Sequence, residues 1–430
     1  MPRMLCSALP TTRPRSGPVT IEGWIHRRRQ LAHVTFVVLR DRSGFAQVVV
    51  TDPQVREQVS GLPEETVVRV TGTALENAKA PGGIEIVDPA VHPLSAPAEP
   101  PPVELWRPGL GLTLPTALDH AAISWRHPTR QAVWQIAAAS MSGFRRHLDG
   151  AGFTEVTTPK IVGQSTESGA NVFALDYFGS TAYLAQSPQL YKQMLTGVFE
   201  RVYEVGPVFR AEPHDTARHL AEYVSLDVEF GFIRDHRDVL ARLRDVLAAM
   251  VDTIAEKAGA AVRTVGAELP FVPEQIPVIH FREALELVGA APTEPDLAPE
   301  HERFLGQWAK SRFDSDFLAV EGYPAVKRPF YTHPQPSDPR WTNSFDLLFR
   351  GLELVTGGQR LHNHADYLEA LAARGEDPAE YGPYLEAMRH GMPPHGGFAI
   401  GLERWVSRLI EADNIRQATL FPRDLHRLRP

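Results

Sequence analysis

Two hydrophobic periods divide this chain into a strand-rich first quarter and a longer remainder that contains helices. From residue 19 to about residue 93, short runs of β-branched residues alternate with turns, such as the Asp-Arg-Ser-Gly turn at 41–44. These runs predict five strands, and residues 52–63 predict a short helix between the third and the fourth. The first quarter is therefore predicted to be a small β domain with one helix.

The order of these elements suggests what the small domain does. Five strands with a helix after the third are typical of the OB-fold, a barrel that commonly binds single-stranded nucleic acid. Such a barrel would place rings for base stacking and cations for phosphate near one exposed face. The candidates are Trp24, His26, Arg28 and Phe36. Aromatic residues in strands more often belong to a core, and that is the competing interpretation.

A proline-rich stretch separates the strands from a helical region. Residues 92–108 contain six prolines, which indicates a semi-rigid linker. After Thr129, apolar residues recur at helical steps until the glycines at 150 and 152, which predicts an amphipathic helix. The next strand-like segment, 153–162, is interrupted by Pro159, which favours a sheet edge. A helix followed by an edge strand can form a subunit interface, and packing within one chain explains the pattern equally well.

Residues 202–232 predict an unusual β-hairpin. Two apolar strands are joined by a polar loop that exceeds the roughly two to five residues of common hairpins, and such loops often carry function. The charged and polar residues on this loop are Arg210, Glu212, His214, Arg218 and His219. Guanidinium groups on the rim of a sheet suit the phosphates of a nucleotide.

Two stretches near the C-terminus extend this phosphate chemistry. Asp346 and Glu353 lie on strand-like runs with Thr356 close behind, and two carboxylates with a hydroxyl can hold Mg²⁺ together with phosphate oxygens. In residues 391–413 a glycine-rich turn opens an amphipathic helix. Arg404 stands in the first turn of that helix, near its positive end.

A further polar set between residues 164 and 195 suits an amino-acid ligand. Glu167 lies in a small glycine-containing loop that could close over a ligand, whereas Gln189 and Lys192 share one face at a helix start. A carboxylate, an amide and an ammonium together complement a zwitterion. Residues 234–320 predict helices and loops with charged faces and no recognisable chemistry.

The protein is acidic overall, but its charge is unevenly distributed along the chain. The 430 residues carry a formal net charge of −8, but residues 1–50 hold eight arginines against two acidic residues, a local +6. A basic face on an acidic protein indicates contact with a polyanion, although a solvated strand edge would look the same. The single cysteine excludes an internal disulfide and fits the cytoplasm, and no segment is apolar for long enough to span a membrane.

Several segments together resemble the class II aminoacyl-tRNA synthetases of the aspartyl, asparaginyl and lysyl subgroup. The helix and strand that end at Pro159 resemble the first signature motif of that family, FRAE…RHL at 209–220 the second, and GLER at 401–404 the third. Their occurrence in this order is highly specific. The segments TESGA, QSPQLYKQ, FDLLFRGLE, GGQRLH and GMPPHGGF are most similar to archaeal-type aspartyl-tRNA synthetases.

The resemblance implies an α+β architecture in four parts. A five-stranded OB-fold barrel that binds the anticodon would span residues 18–95, behind an extension at 1–17. A proline-rich linker at 96–125 would lead to a class II catalytic domain at 126–430, with an antiparallel sheet flanked by helices. A helical insertion is expected around 234–320.

The resemblance also implies residue roles in forming an aspartyl-adenylate from ATP and L-aspartate. Arg210, Glu353 and Arg404 would be catalytic because two anions must meet in the reaction, and arginines with Mg²⁺ offset their repulsion. Aspartate would be bound by Glu167, Gln189, Lys192, Arg210, Thr356 and Arg360, with Arg360 on its side-chain carboxylate. ATP would be bound by Arg210, Glu212, Arg218, His219, Leu220, Glu353, Gly401, Leu402, Glu403 and Arg404. Mg²⁺ would be held by Asp346, Glu353 and Thr356, the last at a position where the family usually has serine.

The tRNA partners follow from finer similarities. Asparaginyl enzymes of this subgroup usually have an acidic residue soon after the arginine at 360, whereas this chain has Leu361-His362, which favours aspartate. Enzymes restricted to tRNA-Asp tend to carry a tryptophan at the position of His26 and a lysine near Pro81. The chain therefore resembles enzymes that charge both tRNA-Asp and tRNA-Asn and need a separate amidotransferase. The expected anticodon-binding residues are Trp24, His26, Arg28, Phe36 and Pro81.

Four alternatives stay open at this point. The chain could be an aspartyl enzyme restricted to tRNA-Asp, an asparaginyl enzyme, or a tRNA-independent enzyme similar to asparagine synthetase. It could also be a nucleic-acid-binding protein without catalysis, but that would require gaps among the ATP-contacting positions, and the sequence has none. A homodimer is expected from the likeness to the first motif.

Overall fold

The computed structural model describes residues 3–9, 18–163, 172–213 and 215–429. The chain forms two compact units, Met1–His127 and Pro128–Pro430. In the described residues, no helix combines the length and the apolar character that crossing a membrane requires.

The first unit contains a closed five-stranded barrel, in the spatial order β1-β2-β3-β5-β4. Its strands are β1 Val19–Gln30, β2 Thr35–Asp41, β3 Gly44–Val50, β4 Val67–Glu76 and β5 Ile84–Pro93. Helix α1, Pro53–Ser60, lies between β3 and β4, and Asp52 caps it by accepting the backbone N–H groups of Gln54 and Val55. The OB-fold prediction is confirmed.

The barrel core follows from the alternation of buried and half-buried residues along most of each strand. Val37 and Leu39 of β2 are buried, whereas Phe36 and Val38 on the opposite face are half-buried. The N-terminal residues 3–9 close onto this barrel, because Cys6 and Leu9 join its core. Two short helices, α2 Leu114–Asp119 and α3 Ala121–Ser124, complete the unit.

The second unit begins with a long helix and a small three-stranded sheet. Its elements up to the hairpin are α4 Pro128–Gly150, β6 Thr154–Glu155, β7 Ile161–Val162, β8 Ala174–Tyr177, β9 Ser180–Leu184, α5 Gln189–Phe199, β10 Arg201–Phe209 and β11 Glu222–Gly231. The segment predicted as one interrupted strand is divided at Pro159 into β6, on the edge of the main sheet, and β7, which pairs with β9.

The remaining elements continue the main sheet and cover it. They are α6 His236–Val265, β12 Val278–His280, α7 Phe281–Val288, α8 Pro299–Phe313, β13 Phe317–Glu321, β14 Pro334–Gln335, β15 Asp338–Thr342, β16 Ser344–Phe349, β17 Leu352–Gln359, α9 His364–Arg374, α10 Gly382–Arg389, β18 His395–Gly401 and α11 Leu402–Leu409. The region around 234–320 is therefore not only helical, since β12 and β13 also lie there. The run at β13 is buried on both faces, which removes the alternation that reveals a strand.

The main sheet has eight strands in the order β12-β13-β16-β17-β18-β11-β10-β6. Its pairs are antiparallel except β12 with β13 and β10 with β6. Leu226, Val228 and Phe398 on one face pack in a core with α4, α6 and α11, including the fully buried Trp405. Burial of that face leaves the residues of alternate parity on the opposite face, where polar side chains collect.

Candidate active site and nucleic-acid face

A cavity of about 480 Å³ opens on the polar face of the main sheet. Its walls come from the start of α5, the β10–β11 hairpin, β17, the β18–α11 junction and residues 326–332. Among the described residues that line it, eight are arginine or lysine and four are glutamate. An excess of cations in a partly enclosed space suits an anionic ligand.

The β10–β11 hairpin places the predicted phosphate-binding residues on this cavity. The strands pair from Arg201 with Phe230 to Phe209 with Glu222, so Arg210 lies in the loop, as predicted. The predicted residues that the structure places on the cavity wall are Arg210, Glu212, Arg218, His219 and Leu220. The Arg210 guanidinium lies over the Tyr223 ring, 5.6 Å from its centroid. His214 lies outside the described residues.

The hairpin loop is held by the C-terminal segment, which the sequence reasoning did not identify. Arg416 is buried, and its Nη2 atom lies 2.9 Å from the Asp215 carboxylate while its Nη1 atom donates to the Thr216 carbonyl at 3.1 Å. The Nε atom of Arg416 donates to Asp424 at 2.5 Å. A long loop fixed in this way keeps its arginines in place at a lower entropic cost when a ligand binds.

The predicted aspartate-binding residues are gathered at one end of the cavity. Gln189 and Lys192, on the first turn of α5, are both buried and line the cavity together with Arg360. Thr356 and Arg210 also line it. Glu167 lies outside the described residues, so its predicted role stays a prediction.

Two buried carboxylates, Asp227 and Glu229, balance these cations and were missed from the sequence. Lys192 Nζ lies 3.0 Å from Asp227 and 3.4 Å from Glu229. Arg360 Nε donates to Glu229 at 2.9 Å, and Arg360 Nη2 donates to the Gly397 carbonyl at 3.1 Å. The guanidinium of Arg360 is therefore held in one orientation before any ligand arrives.

The electrostatic surroundings of Glu229 and Arg360 favour the charged form of each residue. Burial alone would raise the pKa of Glu229, but the adjacent Arg360 and Lys192 outweigh burial and hold that pKa below its usual value. Burial likewise opposes the charge of Arg360, and Glu229 keeps the pKa of Arg360 above its usual value. Both groups are consequently ionised near neutral pH.

The alternation along β11 was the signal that could have revealed these acids. Val224, Leu226 and Val228 face the core, so Ser225, Asp227 and Glu229 must share the opposite face. Two consecutive carboxylates on the polar face of a central strand need partners, and Lys192 and Arg360 supply the positive charge.

A β-bulge in β17 creates the predicted metal-binding set. Asp346 pairs with Thr356 across the strands, but the register shifts so that Leu348 pairs with Glu353. The extra residue places Glu353 and Thr356, three apart in sequence, on the same face. Thr356 Oγ1 donates to Glu353 Oε1 at 3.1 Å. Asp346 is buried behind them, and its Oδ1 atom lies 2.7 Å from Arg328 Nη2.

This set fits Mg²⁺ because its donors are hard oxygens on adjacent strands. Neither Asp346 Oδ1 nor Arg328 Nη2 makes a hydrogen bond of suitable angle in the described structure, although both are buried. Burial raises the pKa of Asp346, Arg328 opposes that shift, and the Glu353 carboxylate adds to it. A cation beside Asp346 and Glu353 would relieve the repulsion between these two carboxylates.

The residues of the GLER segment have different surroundings. Gly401 and Arg404 line the cavity, and Arg404 Nη1 donates to the Glu353 carbonyl at 3.2 Å. Leu402 is instead fully buried in the core, so of its groups only the backbone is a candidate for ATP contact. Glu403 borders the cavity, but its carboxylate accepts the Val224 N–H at 3.1 Å, and burial raises the pKa of Glu403 to about 7.

On the barrel, the structure separates the predicted anticodon-binding residues, because a β-bulge in β1 falls between Ile25 and Arg27. The bulge residue His26 is buried against Phe45, and burial lowers the pKa of His26 to about 4. Arg28 donates to the carbonyls of residues 59, 60 and 62, each at 2.7 Å, at the end of α1. The prediction that both lie on an exposed face is therefore wrong.

The remaining candidates do share the outer face of the barrel. Phe36 and Pro81 line a depression of about 340 Å³, and Trp24 is half-buried on the same side of β1 as Arg27. Residues of this depression that the sequence reasoning did not select are Arg27, Arg29, Val38, Gln47, Asn77, Lys79 and Glu85. Rings and cations side by side on a barrel face suit single-stranded nucleic acid.

Comparisons with known proteins identify a family for each of the two domains that carry the cavity and the barrel face. Residues 114–425 match the family described as tRNA synthetases class II (D, K and N), and residues 19–94 match the family described as OB-fold nucleic acid binding domain. An aspartate–tRNA(Asp/Asn) ligase of Thermus thermophilus is 47% identical over 415 residues, which is 96% of both chains. A protein of the same name from Deinococcus radiodurans is 42% identical over 424 residues, covering 96% of this chain and 95% of its own. Among solved structures, an asparaginyl-tRNA synthetase of Pyrococcus horikoshii, complexed with asparaginyl-adenylate, superposes with a TM-score of 0.92 at 30% identity, and each chain is covered completely.

Proposed function

The chain belongs to the class II tRNA synthetases for aspartate, lysine and asparagine, and we propose that it attaches L-aspartate to both tRNA-Asp and tRNA-Asn in the cytoplasm. The buried Arg360, fixed by Glu229 at 2.9 Å and followed by Leu361 and His362 instead of an acidic residue, carries the amino-acid assignment. A guanidinium beside the Lys192 ammonium complements a carboxylate far better than a neutral amide. Relatives named for both tRNAs support the pair of tRNA partners.

The first step joins two anions, and the residues of the cavity reduce their repulsion. The α-carboxylate of aspartate attacks the α-phosphorus of ATP, an aspartyl-adenylate forms and pyrophosphate leaves. Arg210 would hold the α-phosphate and the substrate carboxylate, and Arg404, which lines the same cavity, would hold the terminal phosphate. Class II synthetases use ATP with Mg²⁺, which neutralises phosphate charge when it is bound. Asp346, Glu353 and Thr356 would hold it here.

The second step needs no protein nucleophile. The terminal ribose hydroxyl of the tRNA attacks the carbonyl carbon of the adenylate, and AMP leaves. The barrel face supplies the contact with the anticodon, through Phe36 and the cations around it. Asp-tRNA-Asn made in this way requires a separate amidotransferase that converts the attached aspartate to asparagine.

Aminoacylation with aspartate or asparagine, together with pyrophosphate exchange, tests these assignments. Radiolabelled aspartate is offered with purified tRNA-Asp or tRNA-Asn transcripts, and both should be charged. Charging of tRNA-Asp alone would refute the double specificity, and preferential charging with asparagine would refute the amino-acid assignment. Aspartate-dependent pyrophosphate exchange without charging of either tRNA would indicate a tRNA-independent enzyme.

Variants connect the proposed activity to the cavity. Arg210→Ala and Arg404→Ala should each lower the rate of pyrophosphate exchange by roughly a hundredfold or more, which is the scale of losing a contact with transition-state charge. The control is Arg282→Ala, which removes an exposed arginine of α7 that is not on the cavity wall. Full exchange activity in either cavity variant would contradict the proposed mechanism.

We also propose a homodimer, supported by the position of β6. This strand lies at the edge of the eight-stranded sheet next to α4, and both its residues are exposed. A second copy of the chain could pack against this exposed sheet edge and α4. Light scattering after gel filtration should give twice the monomer mass of 47.7 kDa, and a monomeric mass at micromolar concentration would refute this proposal.

A further inference from the structure

An aromatic ring from the proline-rich segment stacks on a cation of the barrel. The Arg27 guanidinium carbon lies over the Trp106 ring, 3.9 Å from its centroid. Arg107 approaches the same ring at 5.2 Å. Both contacts lie within the first compact unit. Cation–π contact is expected within about 6 Å of a centroid, so the Arg27 contact is a close one.

The segment that carries Trp106 is anchored. Its neighbours Val103 and Leu105 are buried, with 4% and 2% of their surfaces exposed. The carbonyl of Arg107 lies 2.9 Å from His127 Nε2, and His127 is fully buried. The backbone is therefore anchored both before and after Trp106, although the surrounding stretch is rich in proline.

Arg27 itself lies on the outer face of the barrel. Arg27 and Arg29 are two residues apart on β1 and therefore share one face of the strand. Arg29 pairs with Phe36, and all three residues line the outer depression. Arg27 is exposed, so stacking on it contributes little to the stability of the barrel. The charged side chains of the depression are Arg27, Arg29, Lys79 and Glu85, a net charge of +2.

The geometry of the stack leaves the arginine able to bind an anion. A ring over the guanidinium plane occupies the face of that group, whereas the N–H donors point outward in the plane. An exposed arginine otherwise loses rotamer entropy when a ligand fixes it. The ring removes part of this freedom in advance, which is preorganisation.

We propose that Trp106 is a positioning residue that holds Arg27 against the backbone phosphates of a bound tRNA on the outer face of the barrel. This inference rests on the proposed function only in that the polyanion is tRNA. It adds a residue outside the five barrel strands to the tRNA-binding surface. It also gives a role to the half-buried Trp106 ring, which is not part of the barrel core.

The test compares Trp106→Ala, Trp106→Phe, Arg27→Ala and the double variant Trp106→Ala/Arg27→Ala in the full-length protein. Dissociation constants for tRNA-Asp transcript are measured by fluorescence anisotropy at several salt concentrations. Aspartate-dependent pyrophosphate exchange, which needs no tRNA, is measured in parallel together with thermal melting. A lost exchange activity in the unmodified protein would count against the proposed function, whereas this inference concerns only the tRNA measurements.

We expect Trp106→Ala and Arg27→Ala each to weaken tRNA binding by about three- to tenfold, with pyrophosphate exchange unchanged. Arg27→Ala should also lower the slope of log K against log salt by about 0.7–0.9, the loss of one phosphate contact. The double variant should be no weaker than Arg27→Ala alone, because Trp106 acts through Arg27. Trp106→Phe, which keeps a ring, should bind nearly as tightly as the unmodified protein.

Three results would overturn the inference. The first is unchanged tRNA affinity in Trp106→Ala. The second is full additivity of the two single variants, which would show that Trp106 does not act through Arg27. The third is a loss of affinity in Trp106→Ala accompanied by an equal loss in Trp106→Phe or by a lowered melting temperature of the barrel, since the ring would then be structural.

Discussion

The buried Glu229 carboxylate offers a direct test of how the amino-acid site is built. It is fully buried, and it accepts from Arg360 Nε at 2.9 Å while Lys192 Nζ lies 3.4 Å away. Glu229→Gln keeps the shape of the side chain and removes its charge. The two cations then face a single carboxylate, Asp227, which lies 3.0 Å from Lys192.

The magnitude follows from the cost of a buried charge that loses its partner. Removing one member of a buried ion pair costs about 3–5 kcal/mol. Asp227 still offsets Lys192, so the lower limit of about 3 kcal/mol applies to Glu229→Gln. At roughly 2 °C per kcal/mol for a domain of this size, the catalytic unit should melt about 6 °C lower.

The kinetic effect should appear in aspartate binding. In Glu229→Gln the amide has one acceptor oxygen and no charge, so the charge-assisted bonds that orient the guanidinium of Arg360 are lost and the new N–H donors face cations. A hydrogen bond to a charged group is worth about 1.5–3 kcal/mol. We therefore expect the KM for aspartate in pyrophosphate exchange to rise by about tenfold or more, with a smaller change in kcat.

The matched control is Glu222→Gln, at the exposed end of the same strand. It should change the melting temperature by less than about 2 °C, since exposed substitutions fall within about 0.5 kcal/mol. A Glu229→Gln variant with the melting temperature and aspartate KM of the unmodified protein would refute the claim that Glu229 fixes Arg360.

Three further predictions address other parts of the molecule. Burial lowers the pKa of His395 from 6.5 to about 4, so its ring stays neutral in the fold at pH 5 while the unfolded chain takes up a proton, and stability falls as pH drops below 6.5. Between pH 7 and pH 5, the free energy of unfolding measured with denaturant should therefore fall by about 2 kcal/mol less in His395→Asn than in the unmodified protein. The exposed control His390→Asn should show no such difference from the unmodified protein. Thr356→Ala should raise the Mg²⁺ concentration that gives half-maximal pyrophosphate exchange by about tenfold, whereas Thr356→Ser, which keeps the hydroxyl, should not; equal values in both would argue against a hydroxyl ligand. Arg28→Ala should lower the melting temperature of the barrel because three carbonyls lose their donor, whereas Arg29→Ala should lower the salt dependence of tRNA binding instead, and the reverse pattern would contradict the structure.

The sequence by itself determined the order of the elements and most of the cationic residues of the site. The period of two along β1 to β5 and the single helix after β3 specify the barrel, because one buried face forces alternation. The hairpin loop with Arg210 and Arg218, and the glycine turn before Arg404, could be recognised because such residues recur wherever phosphate is bound.

The tertiary structure alone decided which residues meet. Two bulges, at His26 and within β17, reverse the side-chain parity of a strand, and a bulge leaves no reliable trace in the sequence. They bury His26, turn Arg28 inward, and bring Glu353 and Thr356 onto one face. The partners Glu229 with Arg360, 131 residues apart, and Arg416 with Asp215, 201 apart, come together only through the sheet. A charge in the sequence shows that a partner is needed, and only the packing of the strands determines which partner it is.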